Sequence, residues 1–169
     1  MQPLDLAREV IYPGSFDPVT RGHLDLIERG ASLFESLTVA VIDNPNKKSH
    51  FSLDERTQLL REACAGLSNI SITSFQGLLV DFLQGRGARL VIRGLRHGQD
   101  LEGEMQMARL NQEMLPSMDT VFFSSRPQHV HISSSFVREI GKLGGDFSAL
   151  VPTQVYAQIF RKYSGKAHL

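Results

Sequence analysis

Five short apolar runs, separated by segments of helical period, constrain the fold of this chain more than any other feature. They are Val10-Ile11-Tyr12, Leu37 to Ile42, Ile70 to Phe75, Leu90-Val91-Ile92 and Val121-Phe122-Phe123. Most lack polar alternation, which is how parallel strands covered on both faces read. Between them Leu24, Ile27, Ala31 and Phe34 fall on one helical face. Ser52 and Glu55 form a capping box ahead of Leu59, Leu60 and Ala63. Leu78, Leu79, Phe82 and Leu83 make a third apolar helix face, stopped by Gly85 and Gly87. A longer helix is predicted from about Asp100 to Leu115, with Pro116 after it. Two more fit Ser133 to Leu143, ended by Gly144-Gly145, and Pro152 to Tyr163. The alternation predicts an α/β fold: a single doubly wound, Rossmann-like domain with a central parallel five-stranded sheet and C-terminal helices.

A chain of 169 residues suits one domain, here 1–169, with 1–8 as an N-terminal extension and 164–169 as a tail. Eighteen Lys+Arg balance eighteen Asp+Glu, so no bulk basic surface points to nucleic acid. The one cysteine, Cys64, excludes an internal disulfide framework and a multi-cysteine zinc site. No apolar run reaches the ~18 residues that cross a bilayer, and residues 1–8 lack the pattern of a signal peptide. No membrane partner and a cytoplasmic location are therefore expected.

In doubly wound sheets ligands bind beyond the carboxyl ends of the strands, and the polar clusters of this sequence follow strands. After the first comes Tyr12-Pro-Gly-Ser-Phe-Asp-Pro-Val-Thr-Arg-Gly-His23. Thr20 caps a helix opening near Gly22-His23, whose free N–H groups suit an anion. The spacing fits neither a dinucleotide fingerprint nor a Walker loop. After the fourth, Arg93 and Arg96 flank Gly94-Leu95 as a fork for phosphate oxygens, the plain alternative being pairing with Asp100, Glu102 and Glu104 just downstream. After the fifth comes His129-Val-His-Ile-Ser-Ser-Ser-Phe-Val-Arg138, where Ser133, Ser134 and Ser135 open a helix. His129 and His131 lack partners for a metal centre, and no metal ligand is assigned. Lys47 and Lys48 follow the second strand. Paired carboxylates, a Ser-His-Asp set and a Cys-His set are all missing from these clusters. Such a site suits phosphoryl or nucleotidyl transfer, in which positioning and charge supply most of the catalysis.

These segments resemble the nucleotidyltransferase superfamily that shares a Gly-His signature with class I aminoacyl-tRNA synthetases. Ile92-Arg-Gly-Leu-Arg96, Glu104-Met-Gln-Met-Ala108 with Asn111, and Ile132-Ser-Ser-Ser135 with Arg138 narrow the likeness to the bacterial phosphopantetheine adenylyltransferases, over about Glu9 to Tyr163. The resemblance implies ATP and 4′-phosphopantetheine as substrates, Mg²⁺ as cofactor, coenzyme A as a possible feedback ligand and a homohexamer. It implies catalytic roles for His23, Lys47 and Arg96. ATP would meet Ser15, Phe16, His23, Gly94, Leu95, Arg96 and Glu104, with His129, Val130, His131, Ile132, Ser133, Ser134 and Ser135 closing over it. The acceptor would meet Ser15, Lys47, Leu79 and Arg93. The chain departs from the family pattern with Ser15 where threonine is common, and with Gly103 and His129 where aromatics are frequent. Mononucleotide adenylyltransferases and glycerol-phosphate cytidylyltransferases share the transfer site, and Lys47, Arg93 and Leu79 favour phosphopantetheine among these acceptors. A nucleotide-binding regulator without turnover is the reading from another class. The intact set of His23, Lys47, Arg93 and Arg96 argues against it.

Overall fold

The computed structural model describes residues 9–45 and 48–164. Lys47, the extension 1–8 and residues 165–169 of the tail lie outside the described residues. The chain alternates β1 (Glu9–Gly14), α1 (Arg21–Leu33), β2 (Ser36–Ile42), α2 (Leu53–Ala63), β3 (Ile70–Phe75), α3 (Leu79–Arg86), β4 (Leu90–Leu95), α4 (Gly98–Met114) and β5 (Asp119–Ser124). A 3₁₀ turn at Pro127–His129 leads into α5 (Ser134–Lys142) and α6 (Thr153–Ser164). The five strands form one parallel sheet in the order β3-β2-β1-β4-β5. This is the doubly wound α/β arrangement expected from the alternation of runs.

Side chains of successive strand residues feed opposite faces. Val10 and Tyr12 join Leu37, Val39 and Val41 in the larger core, which α1, α2, α5 and α6 complete with Ile27, Leu60, Val137 and Ile159. Ile11, Ala40 and Val91 point the other way, into a smaller cluster with Val80 and Leu83 of α3 and with Met118. Burying each such Leu, Ile or Val is worth roughly 1.5–3 kcal/mol against exposure. The edge strands β3 and β5 are only half covered, so full two-sided burial holds for the inner strands alone.

The α1 face packs as the periodicity has it, with Leu24, Ile27, Ala31 and Phe34 on the larger core, and the α3 face differs at its start. In α3 the buried residues are Val80 and Leu83, while Leu78 is the exposed N-cap and the helix ends at Gly87, whose φ is +65°. Gly85 lies inside the helix. Glycine tolerates the left-handed conformation that ends a helix, so Gly87 is the true stop. In α1 the cap falls at Phe34, and Asp25 is buried beside Leu26 and Ile27 because Arg29 and Arg126 pair with its carboxylate.

The sheet topology places the site. β1 and β2 pair over six residues, Glu9↔Ser36 through Gly14↔Val41. β1 and β4 pair only at Val10↔Leu90 and Ile11↔Val91. Pro13 has no N–H to extend that ladder, so the two strands part and open a crevice where strand order reverses.

Candidate active site

The crevice is a cleft of about 330 Å³. It is floored by the turn after β1, walled by Arg93, Gly94 and Arg96 at the end of β4, and roofed by His129 and residues 132–135 before and within α5. A β-region Thr20 caps α1, and its hydroxyl accepts from the His23 N–H at 3.3 Å. His23 occupies the third helical position and reaches back, its Nδ1 accepting the Thr20 N–H at 3.1 Å. A ring whose Nδ1 accepts carries its proton on Nε2 in the neutral state. Burial, then the charges of Arg96 and Arg93, push the His23 pKa down to about 4. The ring also lies edge-on to Phe16, with centroids 5.0 Å apart. His23 is thus a neutral Nε2–H donor held at a helix N-terminus in a positive field.

The arginine fork is engaged within the protein. Glu104 takes Arg93 Nε and Nη2 at 2.6 Å each, and Arg93 Nη1 donates to the Pro13 carbonyl at 3.0 Å across the β1–β4 gap. Burial opposes the charge on Arg93, but Glu104 outweighs it and raises the pKa. Three of five guanidinium N–H groups are spent in this way, and two remain for a ligand. Arg96 donates from Nε and Nη2 to Asp100, whose carboxyl stays below its ordinary range because that bond outweighs partial burial. Arg96 is the more exposed of the two, whereas Arg93 is held at both Glu104 and Pro13.

Asp17 ties the turn to its surroundings. Its buried carboxylate accepts the His50 and Phe51 N–H groups at 2.9 and 2.8 Å, and Arg138 of α5 pairs with it at 3.6 Å. Arg138 also donates to the Asp17 carbonyl, and the Ser134 hydroxyl donates to the Pro18 carbonyl at 2.8 Å. The serine-opened helix is therefore docked onto the turn, and its N-terminus faces the cleft. His129 completes the roof, with its Nδ1 buried and without a hydrogen-bond partner among the described residues. The cavity geometry can hold a polyanion between α1, α5 and β4.

Of the residues singled out in the sequence, Ser15, Phe16, His23, Arg93, Gly94, Arg96, Glu104, His129, Ile132, Ser133, Ser134 and Ser135 line this cleft. Leu95, Val130 and His131 flank it without lining it, and Leu79 packs instead beside the smaller core cluster. Tyr12 and Pro13 stand in the motif after β1 without an assigned role, and the sequence reading missed Leu26 and Ser125. Ser125 follows β5 and was open to the same rule as the others. Tyr12 and Leu26 carry only the signature of core residues.

A cytidylyltransferase-like family model matches residues 11–140, which span every element from β1 to α5. The chain is 46% identical over 153 residues to a phosphopantetheine adenylyltransferase of Heliobacterium modesticaldum, covering 90% of this chain and 91% of that protein. It is 47% identical to one of Syntrophomonas wolfei, covering 90% and 94%. Among solved structures, a bifunctional NMN adenylyltransferase/ADP ribose pyrophosphatase from Francisella tularensis superposes with a TM-score of 0.72 at 14% identity. That match covers 94% of this chain and 52% of the other, so the chain spans about half the length of the bifunctional protein. At that identity the likeness is one of fold.

Proposed function

The chain belongs to the cytidylyltransferase-like family and, within it, to the phosphopantetheine adenylyltransferases, and we propose that its cleft moves the adenylyl group of ATP onto 4′-phosphopantetheine. The products are 3′-dephospho-coenzyme A and diphosphate, a step of coenzyme A biosynthesis. The observation that carries the mechanism is a neutral His23 beside two arginines at the switch point, with the cleft carboxylates Asp17 and Glu104 both engaged by protein donors. An oxygen of the acceptor phosphate attacks the α-phosphorus of ATP in line. The bond from that phosphorus to the bridging oxygen breaks, and its electron pair leaves on diphosphate. The nucleophile is already an anion, so no proton has to be removed. Catalysis then rests on positioning and on neutralising charge that grows on the leaving group.

His23 supplies an Nε2–H to the phosphate chain of ATP, and Arg96 swings from Asp100 to meet the same charge. The α5 N-terminus with Ser133, Ser134 and Ser135, together with Gly94 and the Ser15–Phe16 turn, cradles the nucleotide. The two free N–H groups of Arg93 receive the acceptor phosphate, and Glu104 acts chiefly by holding that guanidinium still. Lys47 is assigned to the same phosphate by resemblance. Both cleft carboxylates, Asp17 and Glu104, are engaged by protein donors, and the described residues form no cluster of three metal-ligating side chains. This donor set fits Mg²⁺ carried on the phosphates and waters of ATP, where it supplies charge neutralisation.

A homohexamer would cover apolar surface that α4 exposes at Leu101, Met105, Met107, Leu110 and Met114. Coenzyme A carries the product's own adenylyl and pantetheine parts, which supports its role as a competing feedback ligand. No described helix is long and apolar enough to cross a membrane, and a cytoplasmic site of action belongs to the same proposal.

The test is diphosphate release from ATP or CTP with 4′-phosphopantetheine, nicotinamide mononucleotide and glycerol 3-phosphate as acceptors. Release confined to ATP plus phosphopantetheine is the expected result. Release with another pair would overturn the acceptor roles of Arg93 and Lys47. Silence in folded protein that still binds ATP would favour a regulator.

A further inference from the structure

Arg56 of α2 is the largest fully buried side chain among the described residues, at 2% exposure. Burying a guanidinium is costly unless it is paired. Its nearest carboxylate, Asp43, lies 3.8 Å from Nη2, and its Nε has no hydrogen-bond partner among the described residues. An ion pair does not account for its place. What Arg56 does hold is backbone: Nη1 donates to the Ser15 carbonyl at 2.9 Å and to the Ile42 carbonyl at 3.0 Å.

Those two carbonyls lie just past the last paired residues of β1 and β2, Gly14↔Val41. A single nitrogen therefore clips the strand ends together where the ladder stops. In a trans peptide the C=O and the next N–H point in opposite directions. With the Ser15 carbonyl drawn inward to Arg56, the Phe16 N–H is turned outward, on the side where Ser15 and Phe16 line the cleft. That N–H meets no acceptor among the described residues. Phe16 has a φ of +47°, which an aromatic residue adopts only when its surroundings impose it. Two things impose it here, a ring buried between Tyr12 and His23 and the arginine beneath the preceding peptide.

We propose that Arg56 is a positioning residue for the transfer reaction: its buried charge fixes and polarises the Ser15–Phe16 peptide so that the Phe16 N–H donates to phosphate in the cleft. The inference rests on the transferase reading. Arg56 touches no substrate. It acts through a backbone donor that mutation cannot remove directly.

The test compares wild type with Arg56→Met, Arg56→Lys and Leu60→Ala, the last a buried α2 residue outside the cleft that controls for stability loss. Steady-state kinetics are read alongside the ¹⁵N amide signal of Phe16 during titration with inorganic diphosphate. Loss of one preorganised donor of this kind costs about 10²–10³ in turnover. Misdirecting the donor should therefore lower kcat by at least about tenfold in Arg56→Met, with Arg56→Lys between it and wild type and KM for ATP changed by under about threefold. The Phe16 amide should respond to diphosphate in wild type and lose that response in both Arg56 variants. Leu60→Ala should keep its kcat below its melting temperature. If Arg56→Met does not fold, Arg56→Lys carries the same comparison. Arg56 variants with wild-type kcat and an intact Phe16 response would overturn the proposal, as would an equal loss in Leu60→Ala. A wild type inactive with ATP and phosphopantetheine would sink the transferase reading instead, and the Phe16 signal would still decide the part played by Arg56.

Discussion

Replacing His23 with glutamine tests the neutral imidazole on which the mechanism turns. In the folded protein burial and two arginines hold its pKa at about 4, against an ordinary value of 6.5. The unfolded chain therefore takes up the proton first as the pH falls. The stability contributed by the neutral ring is complete above pH 6.5 and is lost as the pH drops from 6.5 toward 4. Linkage across that gap gives about 2 kcal/mol lost between pH 7.5 and 4.5, after allowance for solvent on the cleft side of the ring. Glutamine at the same position can still reach back to the Thr20 N–H, as capping boxes allow, so the variant keeps the cap and loses only the titration. Urea unfolding of both proteins at several pH values should show wild type losing that amount of stability relative to the variant toward acid. The ring signal of His23 in NMR should titrate near 4, and turnover of the wild type should show no break at 6.5. Parallel stability curves, or a ring that titrates at 6.5 or above, would refute the reasoning.

Four other perturbations separate the parts of the site. Glu104→Gln unlocks the Arg93 fork, and it should raise KM for phosphopantetheine about tenfold with a smaller effect on ATP; Arg93→Ala should do the same in separate titrations of the two ligands, and equal losses for both would count against the assignment. Gly94→Ala places a Cβ 2.5 Å from Leu26 Cδ2, and overpacking of that kind costs about 1–3 kcal/mol; unchanged urea unfolding would mean that Leu26 yields freely. Asp17→Asn weakens the acceptor of the His50 and Phe51 N–H groups and the pair with Arg138, with an expected loss of about 1.5–3 kcal/mol in thermal unfolding and a weaker affinity for ATP. Retained ATP affinity would show that the turn and α5 dock independently of that carboxylate.

Most of the fold was legible because period and punctuation agree. Five apolar runs, most of them unalternating, became five parallel strands, and the Ser52–Glu55 pair became a capping box with both of its hydrogen bonds. The rule that ligands follow strands located His23, Arg93, Gly94 and the serines before α5. What the sequence hides is pairing. Pairing of Arg93 and Arg96 with the acidic helix is the alternative that the sequence offers, and the structure shows it at Arg93–Glu104 and Arg96–Asp100; periodicity does not select it, because each bond joins the end of β4 to a helix that begins after a turn. Nor does it mark Phe16 as left-handed, since that conformation is imposed by contacts across the sheet. Arg56 left a trace that was overlooked. It stands three, four and seven residues before Leu59, Leu60 and Ala63, on the apolar stripe of α2, where an arginine is out of place unless it is buried for a purpose. Leu79, which has a ligand role by resemblance, is half-buried beside the smaller core cluster.

In the mechanism proposed for the cleft, transfer is direct: the acceptor phosphate displaces diphosphate from ATP with no group of the protein bonded to phosphorus on the way. ATP made chiral at the α-phosphorus by sulfur tests it most directly, with the configuration read in the thio-analogue of 3′-dephospho-coenzyme A that results. Inversion is the predicted outcome, since one in-line displacement inverts the centre once. Retention would require two displacements and a covalent intermediate, with His23 or a cleft serine as nucleophile, and would contradict the account.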